Sequence, residues 1–225
     1  MTTSVRAATG CAAAALLMLG ACAPFPTFSD VSATPASAEV PGDPLVRGLR
    51  QGGYVVYLRH GKTEHAFQDK VDKPEYWKSC DTRNSRTLSD EGRAQMMAIG
   101  AHIRAMKIPV SRVESSEYCR AFDSGLLMQL MPVVQNAALN FPDAQRKVGR
   151  TDVDMANGMR KLFGTLPAPG SNTILIGHVH GFNPAIHSMF NEIIEGEAVI
   201  VKPRPDGTFE IVGGILAENW AKRAP

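Results

Sequence analysis

The stretch YVVYLRHG at residues 54–61 decides the fold. A short, apolar, β-prone run ends abruptly in Arg-His-Gly, which predicts a buried strand that carries two side chains at its C-terminal edge. Ligands of open α/β sheets bind outside that edge. Gly61 leaves room for an anion against main-chain N–H groups, Arg59 offers a planar fork of donors, and His60 can attack as a neutral imidazole. Alone, these residues are equally compatible with a strand end that carries an incidental Arg and His.

Two further segments supply groups of the same kind. The apolar run at 173–176 predicts a second strand, which ends in Gly-His at His178. A strand predicted at 110–114 leads into a helix that begins near Arg120, and an Arg there lies beside the free N–H donors of a helix N-terminus. Because these donors converge at one sheet edge, the sequence predicts a phosphate pocket.

The rest of the chain alternates predicted strands and helices, as expected of an α/β domain. Apolar spacing, caps and Pro or Gly breaks place these elements. The predicted helices span 45–50, 120–131 and 152–166, with two more from Ser89 to before Pro109 and from Pro184; a strand is predicted at 133–139, a hairpin at 198–201 and 208–212, and irregular structure at 141–149.

Three sequence blocks in this order and spacing resemble the histidine phosphatase superfamily, which has the phosphoglycerate-mutase-like fold. The blocks are residues 58–63, then Ser115-Ser116 with Arg120-Ala121 and Ser124, then residues 176–178. The resemblance covers roughly residues 45–216. It implies a three-layer α/β/α architecture, with a mostly parallel central sheet and helices on both faces.

The resemblance also implies roles for individual residues. His60 matches the nucleophile that becomes phosphorylated, and Arg59, Arg120 and His178 match the other members of the phosphate pocket. Thr63 matches a hydroxyl of the pocket wall. The pocket's own charges stabilise the transferred group, so we expect neither a metal nor another cofactor.

The chain departs from the family pattern at three points. Ser124 stands where the family often has Thr. The last block contains two histidines, and His180 replaces His178 as the second pocket histidine if the register differs by two residues. The family's general acid is not obvious here: Asp143 is our first candidate, and Glu64 and Glu117 are the alternatives.

The N-terminus predicts an export signal. A basic residue and an apolar run end in Leu-Gly-Ala-Cys at Cys22, which resembles a bacterial lipoprotein signal; ordinary cleavage near residues 36–38 is the alternative. We therefore predict a signal peptide at 1–21, a flexible Pro-, Ser-, Thr- and Ala-rich tether at 22–44 and one folded domain at 45–225. A lipid on Cys22 would attach the protein to the periplasmic face of the envelope.

Cysteine usage agrees with export. Four cysteines occur in the chain, and two of them belong to the leader and its lipidation site. Cys80 and Cys119 remain as an even pair in an oxidising compartment, which predicts a disulfide; two unpaired buried thiols are the alternative. The balance of 24 Lys and Arg against 22 Asp and Glu gives no reason to expect nucleic-acid binding.

The sequence therefore predicts an exported phosphomonoesterase that hydrolyses a small phosphate ester through a phosphohistidine on His60. The first alternative is a catalytically silent phosphate-binding domain on the same fold. The second is a metallohydrolase that uses His178 and His180, although no Asp, Glu or Cys cluster at ligand spacing accompanies them. A mutase is a further alternative within the family. No code for the substrate can be read from the sequence.

Overall fold

In the residues that the structure describes, six strands form a central sheet. The computed structural model describes residues 43–179 and 193–223. The strands are β1 (Val55–Arg59), β2 (Val110–Ser115), β3 (Val133–Gln135), β4 (Asn172–Gly177), β5 (Ala198–Pro203) and β6 (Phe209–Ile215).

Six α-helices accompany the strands in the described residues. They are α1 (Pro44–Gln51), α2 (Asp90–Ala105), α3 (Cys119–Met128), α4 (Pro142–Lys147), α5 (Asp152–Gly164) and α6 (Asn219–Arg223). Short 3₁₀ turns occupy Tyr76–Lys78 and Ala137–Leu139.

The sheet has the strand order β3-β2-β4-β1-β5-β6. Strands β1 to β4 run parallel to one another, whereas β5 runs antiparallel to both β1 and β6. Arg59 pairs with Gly177, and Ser115 pairs with Ile176. The carboxyl ends of β1, β4 and β2 therefore lie side by side at one level, where ligands of open α/β sheets bind.

Alternate residues of the central strands pack into two separate cores. Val56 and Leu58 of β1 join a core with α1, α2, α3 and α6. Val55 and Tyr57 point to the opposite face, where they pack against α5. Because side chains alternate across a strand, both faces of the sheet are covered by helices, and the predicted three-layer architecture is confirmed.

Local sequence explains where most elements begin and end. Ser89 caps α2 by accepting a hydrogen bond from the Gly92 backbone N–H at 3.1 Å, as predicted. A Cβ on Gly92 would lie 1.9 Å from the carbonyl oxygen of Lys62, so glycine is required where α2 meets the segment after β1. Asn136 ends β3 earlier than predicted, because its side chain accepts a hydrogen bond from the Ala138 N–H and starts a 3₁₀ turn.

The prediction of irregular structure at 141–149 was wrong, because α4 forms there. Pro142 occupies the first turn and Asp143 supplies the negative charge that suits a helix N-terminus. Six residues are too few to display an apolar period.

Several predictions lie outside the described residues. These are the signal peptide, the tether before residue 43, lipidation of Cys22, the alternative histidine His180 and the helix from Pro184. Among the helices that the structure describes, none has both the length and the apolar character needed to cross a membrane.

Candidate active site

Two buried histidines meet at the carboxyl edge of the sheet. His60 follows β1 and His178 follows β4, and each is only 2% exposed. Their ring centroids are 5.2 Å apart and the rings meet edge to face. The two strand ends that the sequence singled out therefore deliver their histidines to one site.

The hydrogen bonds of His60 define its tautomer. Its Nδ1 lies 2.9 Å from the carbonyl oxygen of Gly61, and its Nε2 lies 3.3 Å from the Nε of Arg120. A carbonyl oxygen only accepts and a guanidinium only donates, so the proton is on Nδ1 and Nε2 carries the lone pair. The Gly61 N–H donates to Ser124 Oγ at 3.0 Å, and Ser124 donates to the Arg120 carbonyl at 2.7 Å. Ser124 thus fixes the turn that aims His60.

His178 is held through both its backbone and its ring. The Tyr57 hydroxyl donates to the His178 carbonyl at 2.7 Å and accepts from its N–H at 2.9 Å. A Cβ on Gly177 would lie 2.5 Å from that hydroxyl, so the Gly of Gly-His makes room for Tyr57. The ring packs edge to face against Tyr118 and Phe141. Its Nε2 lies 2.9 Å from Ser116 Oγ.

Arg120 connects His60 to the segment after β1. Its Nε faces His60, while Nη1 and Nη2 each donate to the carboxylate of Asp69 at 3.1 Å. The side chain of Arg120 is only 3% exposed, and its guanidinium lies 4.4 Å from the Tyr118 ring centroid. A two-point contact with a carboxylate holds a guanidinium in one orientation, so Asp69 keeps the Nε edge turned towards His60.

Arg59 and Thr63 share a second carboxylate, Glu195. Thr63 Oγ1 donates to Glu195 at 2.7 Å, and an Arg59 terminal nitrogen lies 3.5 Å from the same oxygen. Arg59 also donates to the Ile193 carbonyl at 2.8 Å. The hydroxyl proton of Thr63 is therefore directed at Glu195, and its contact with a phosphate remains a prediction.

Residues 62–88, the covering segment, bring a third arginine to the site. Arg86 Nη1 lies 3.3 Å from His65 Nδ1, and its backbone N–H donates to Asp69 at 2.9 Å. The predicted disulfide between Cys80 and Cys119 is present, with 5.2 Å between the two Cα atoms. It joins the covering segment to the first turn of α3, one residue before Arg120.

The arginines and the burial act in the same direction on both histidines. Burial lowers the pKa of His60 well below its usual value, and the charge of Arg120 is the next largest cause. Burial likewise lowers the pKa of His178, with Arg120 again the next cause. Arg59 and Arg86 add to both effects. Both rings are therefore neutral at pH 7, and the Nε2 of His60 carries an unprotonated lone pair.

Unpaired polar atoms concentrate at this site. In the part of the chain that the structure describes, four buried side-chain nitrogens or oxygens lack a hydrogen-bond partner. Three of the four are the Nε of Arg59, the Nε of Arg86 and the Nδ1 of His178; the fourth is the indole nitrogen of Trp220. Leaving such groups unpaired is costly, and the two arginine Nε–H groups are donors, so the site favours a partner that accepts hydrogen bonds.

The three candidates for the general acid lie in different surroundings. Asp143 is half-exposed on α4 and pairs with Arg146 at 3.6 Å. Glu117 accepts from Asn140 Nδ2 at 2.7 Å and from the Trp77 indole N–H at 3.2 Å. Glu64 is exposed and accepts from the backbone N–H of Ala66. Among the described residues, none of the three has a hydrogen bond or an ion pair with either histidine, and the role of Asp143 remains a prediction.

Sequence reasoning missed Asp69, Arg86, Asn140 and Glu195. None of the four falls on a strand end or in a periodic helix, and no local spacing marks them. Arg86 immediately precedes the cap region of α2, which is the one signal that could have drawn attention to it. Within the described residues no group of three or more His, Cys, Asp or Glu side chains could hold a metal ion.

Comparison with known proteins gives similarity in structure only. The sequence matches no family model and no curated protein. One similar solved structure is the protein histidine phosphatase SixA complexed with tungstate, at 14% identity and a TM-score of 0.48, covering 74% of this chain and 98% of that one. Another is mycobacterial glucosyl-3-phosphoglycerate phosphatase complexed with VO3, at 16% identity and a TM-score of 0.48, covering 72% of this chain and 98% of that one.

A third similar structure is YhfR of Bacillus stearothermophilus, at 14% identity and a TM-score of 0.47, covering 71% of this chain and 95% of that one. Two of these three proteins are named as phosphatases. Matches at this level carry no argument about function, so the chemistry of this chain rests on its own side chains.

Proposed function

We propose that this protein is a phosphatase that hydrolyses a small phosphate ester through a phosphohistidine on His60. The observation that carries the proposal is the concentration of unpaired donors beside a buried, neutral histidine. Arg59 and Arg86 each have an unpaired Nε at the site. Among the described residues, Arg59, Arg86 and Arg120 face the carboxylates of Asp69 and Glu195 there, which leaves an excess of positive charge. A phosphate group offers both the negative charge and the several acceptor oxygens that these residues need.

The reaction would begin when His60 attacks phosphorus. Its lone pair on Nε2 forms the N–P bond while the bond from phosphorus to the leaving oxygen breaks, and the leaving oxygen takes up a proton, for which Asp143 is the candidate donor. Among the hydrogen bonds that Arg120 and His60 make to side-chain atoms, the one from Arg120 Nε to this nitrogen is the longest, at 3.3 Å. Phosphate oxygens would replace His60 as the acceptor at that edge of the guanidinium. The arginines stabilise the charge that spreads over the equatorial oxygens. Water then attacks the phosphohistidine, releases phosphate and restores His60.

The leaving group would enter a cleft beside the site. A cavity of about 390 Å³ includes Thr63 and Glu195 in its lining and extends to Lys62, His65 and Glu91. Side chains of both charges line it, which favours a polar leaving group over an apolar one. A panel of phosphosugars, phospholipid headgroup phosphates and small aryl phosphates, assayed with the purified protein, would identify the preferred class.

The decisive experiment is phosphate release from an aryl phosphate in chelator-treated buffer. His60→Ala should lower kcat/KM by at least about 10⁴-fold and should remove the acid-labile phosphate label from the protein. His102→Ala is the matched control, because His102 lies on α2 outside the site. Equal rates for wild type and His60→Ala would refute the phosphatase; phosphate binding without label or turnover would point to a silent binding domain.

We further propose that the protein is exported and anchored through a lipid on Cys22. The disulfide supports export, since such bonds persist in oxidising compartments. Metabolic labelling with a fatty acid should mark the wild type and Cys11→Ser but not Cys22→Ser. Label retained in Cys22→Ser would reject the anchor, and a cytoplasmic location of the protein would reject export.

A further inference from the structure

A buried hydrogen-bonded chain runs from His178 to the carboxylate of Glu117. His178 Nε2 lies 2.9 Å from Ser116 Oγ, and Ser116 Oγ lies 2.9 Å from Asn140 Oδ1. Asn140 Nδ2 then contacts Glu117 at 2.7 Å. Ser116 and Asn140 are almost fully buried, at 0% and 3% exposure. The chain therefore links a histidine of the candidate site to a charged group about three side chains away.

The direction of every proton in this chain can be derived. The backbone N–H of Glu117 donates to Asn140 Oδ1 at 2.8 Å, which identifies the amide oxygen and leaves Nδ2 as the donor to the carboxylate. Because Oδ1 only accepts, Ser116 must donate its single proton to it. Ser116 Oγ is then left as an acceptor, for the Tyr118 N–H at 3.2 Å and for His178 Nε2. The proton of neutral His178 is therefore on Nε2.

We propose that Ser116, Asn140 and Glu117 are positioning residues that keep His178 in its Nε2–H form and reserve Nδ1 for the bound phosphate. Nδ1 is the ring nitrogen that has no hydrogen-bond partner among the described residues. In the neutral ring Nδ1 carries a lone pair, which repels phosphate oxygens. A second proton can enter only at Nδ1, because Nε2 is already occupied, and it turns this atom into a donor.

Phosphate binding is thereby coupled to uptake of one proton by His178. Without an anion, burial and the neighbouring arginines keep the ring neutral. A phosphate dianion beside Nδ1 reverses that balance, because it favours the charged ring. The Glu117 carboxylate, at the far end of the hydrogen-bonded chain, also favours a positive charge on His178. Its negative charge polarises the hydrogen bonds through Asn140 and Ser116. The groups that face His178 from the elements around it are His60, the three arginines and the aromatic rings of Tyr118 and Phe141.

The tautomer is measured directly by the ¹⁵N chemical shifts of the histidine ring nitrogens in the full-length protein. Wild type should show His178 protonated on Nε2. Ser116→Ala should move the proton to Nδ1 in a substantial fraction of molecules. Ser115→Ala is the matched control, because Ser115 is equally buried and donates to the Ser116 carbonyl instead of facing His178; its His178 should be unchanged. A Ser116→Ala spectrum identical to that of wild type would overturn the proposal.

A second variant keeps the proposal testable if Ser116→Ala does not fold. Glu117→Gln retains the shape of a half-buried side chain and removes only its charge. Titration with inorganic phosphate, by calorimetry in buffers of different ionisation enthalpy, should show about one proton taken up by wild type and clearly fewer by Glu117→Gln. The affinity of Glu117→Gln for phosphate should fall about tenfold, the size of one charged hydrogen bond. Equal proton uptake and affinity in both proteins would overturn the role of Glu117.

This inference rests on the proposed function only where phosphate enters. The tautomer measurement needs neither phosphate nor turnover, so it stands or falls alone. A protein that takes up a proton with phosphate but never hydrolyses an ester would refute the phosphatase and keep the positioning role. A protein that binds no phosphate would refute the phosphate pocket, whatever the tautomer of His178.

Discussion

The two histidines of the site are chemically the same and are held in opposite ways. His60 donates a hydrogen bond from its Nδ1–H to the carbonyl of Gly61, and its Nε2 lone pair faces Arg120. His178 donates a hydrogen bond from its Nε2–H to Ser116 Oγ, and its Nδ1 has no hydrogen-bond partner among the described residues. A backbone carbonyl fixes the tautomer of His60, whereas a chain of side chains fixes that of His178. Burial makes both rings neutral, so the hydrogen-bond partner alone decides which nitrogen is available to a substrate.

The largest effect that separates them concerns the covalent step. His178→Ala should lower kcat/KM by about 10²–10³-fold, the loss typical of one donor to a developing negative charge. It should still acquire acid-labile phosphate on His60, only more slowly, because the nucleophile and its tautomer are intact. Quench-flow labelling with a radioactive phosphate ester, followed by acid treatment, measures this. A His178→Ala protein as inactive and as unlabelled as His60→Ala would contradict the division of roles.

The disulfide provides a second test, because it supports the His60 side through the covering segment. In the chain-entropy model, closing a loop with a sequence separation of 39 residues is worth about 3–4 kcal/mol. The double variant Cys80→Ser with Cys119→Ser should lose a stability of that order in urea unfolding. Its phosphate affinity should also fall, since Asp69 and Arg86 would then be held to α3 by hydrogen bonds from Arg120 alone, without the covalent tie.

The same variant also separates the two histidines. Its ¹⁵N spectrum should leave His178 protonated on Nε2, because Ser116 and Asn140 lie outside the covering segment, which contacts this chain through the bond from Trp77 to Glu117 at its far end. Unchanged phosphate affinity after loss of the disulfide would show that the covering segment keeps its place without the bond. A changed tautomer of His178 would show that the two sides of the site are not independent.

The pH dependence of stability is the third test. Both folded-state pKa values are lowered, so below the unfolded value of about 6.5 the unfolded chain binds more protons. The contribution of these histidines to the free energy of unfolding is therefore complete above pH 6.5. It is lost as the pH drops from 6.5 down through the folded pKa values. Each histidine contributes up to about 1.4 kcal/mol per pH unit in that window. Urea unfolding at pH 7.5, 6.0 and 5.0 measures the slope.

Replacing one histidine at a time assigns the slope to its source. His60→Asn and His178→Asn should each remove about half of it, and His102→Asn should leave it unchanged. A single variant that removes the whole slope would show that the other histidine titrates normally in the folded protein. Added phosphate should flatten the slope through His178 if its Nδ1 takes up a proton.

The sequence predicted the parts of this site that depend on local pattern. A β-prone run that ends in Gly gives a strand and its exit, so His60 and His178 could be placed at the same sheet edge. Counting cysteines in a chain predicted to be exported led to the prediction that Cys80 pairs with Cys119, which is confirmed. The helix that begins near Arg120 follows from the apolar residues after it.

The parts that were missed depend on the path of the chain in three dimensions. Asp69 and Arg86 belong to a segment with no apolar period, so nothing in the sequence shows that they reach Arg120. Asn140 ends a short turn that the sequence assigned to a strand and its exit. Glu117 was considered as an acid because of its position, yet its contacts with Asn140 and Trp77 appear only in the folded protein.

The smallest expected effect tests how the His60 side is aimed. Asp69 holds both terminal nitrogens of Arg120, which leaves the Nε edge for His60 and for a phosphate oxygen. Asp69→Asn should lower kcat/KM and phosphate affinity by about tenfold, because an amide cannot hold a guanidinium at two points with a full negative charge. Asp72→Asn, an exposed acid of the same segment, is the matched control. If Asp69→Asn binds phosphate more tightly than wild type, the carboxylate competes with phosphate for Arg120 instead of orienting it. The His60 side would then be inhibited by its own carboxylate, whereas the His178 side is not.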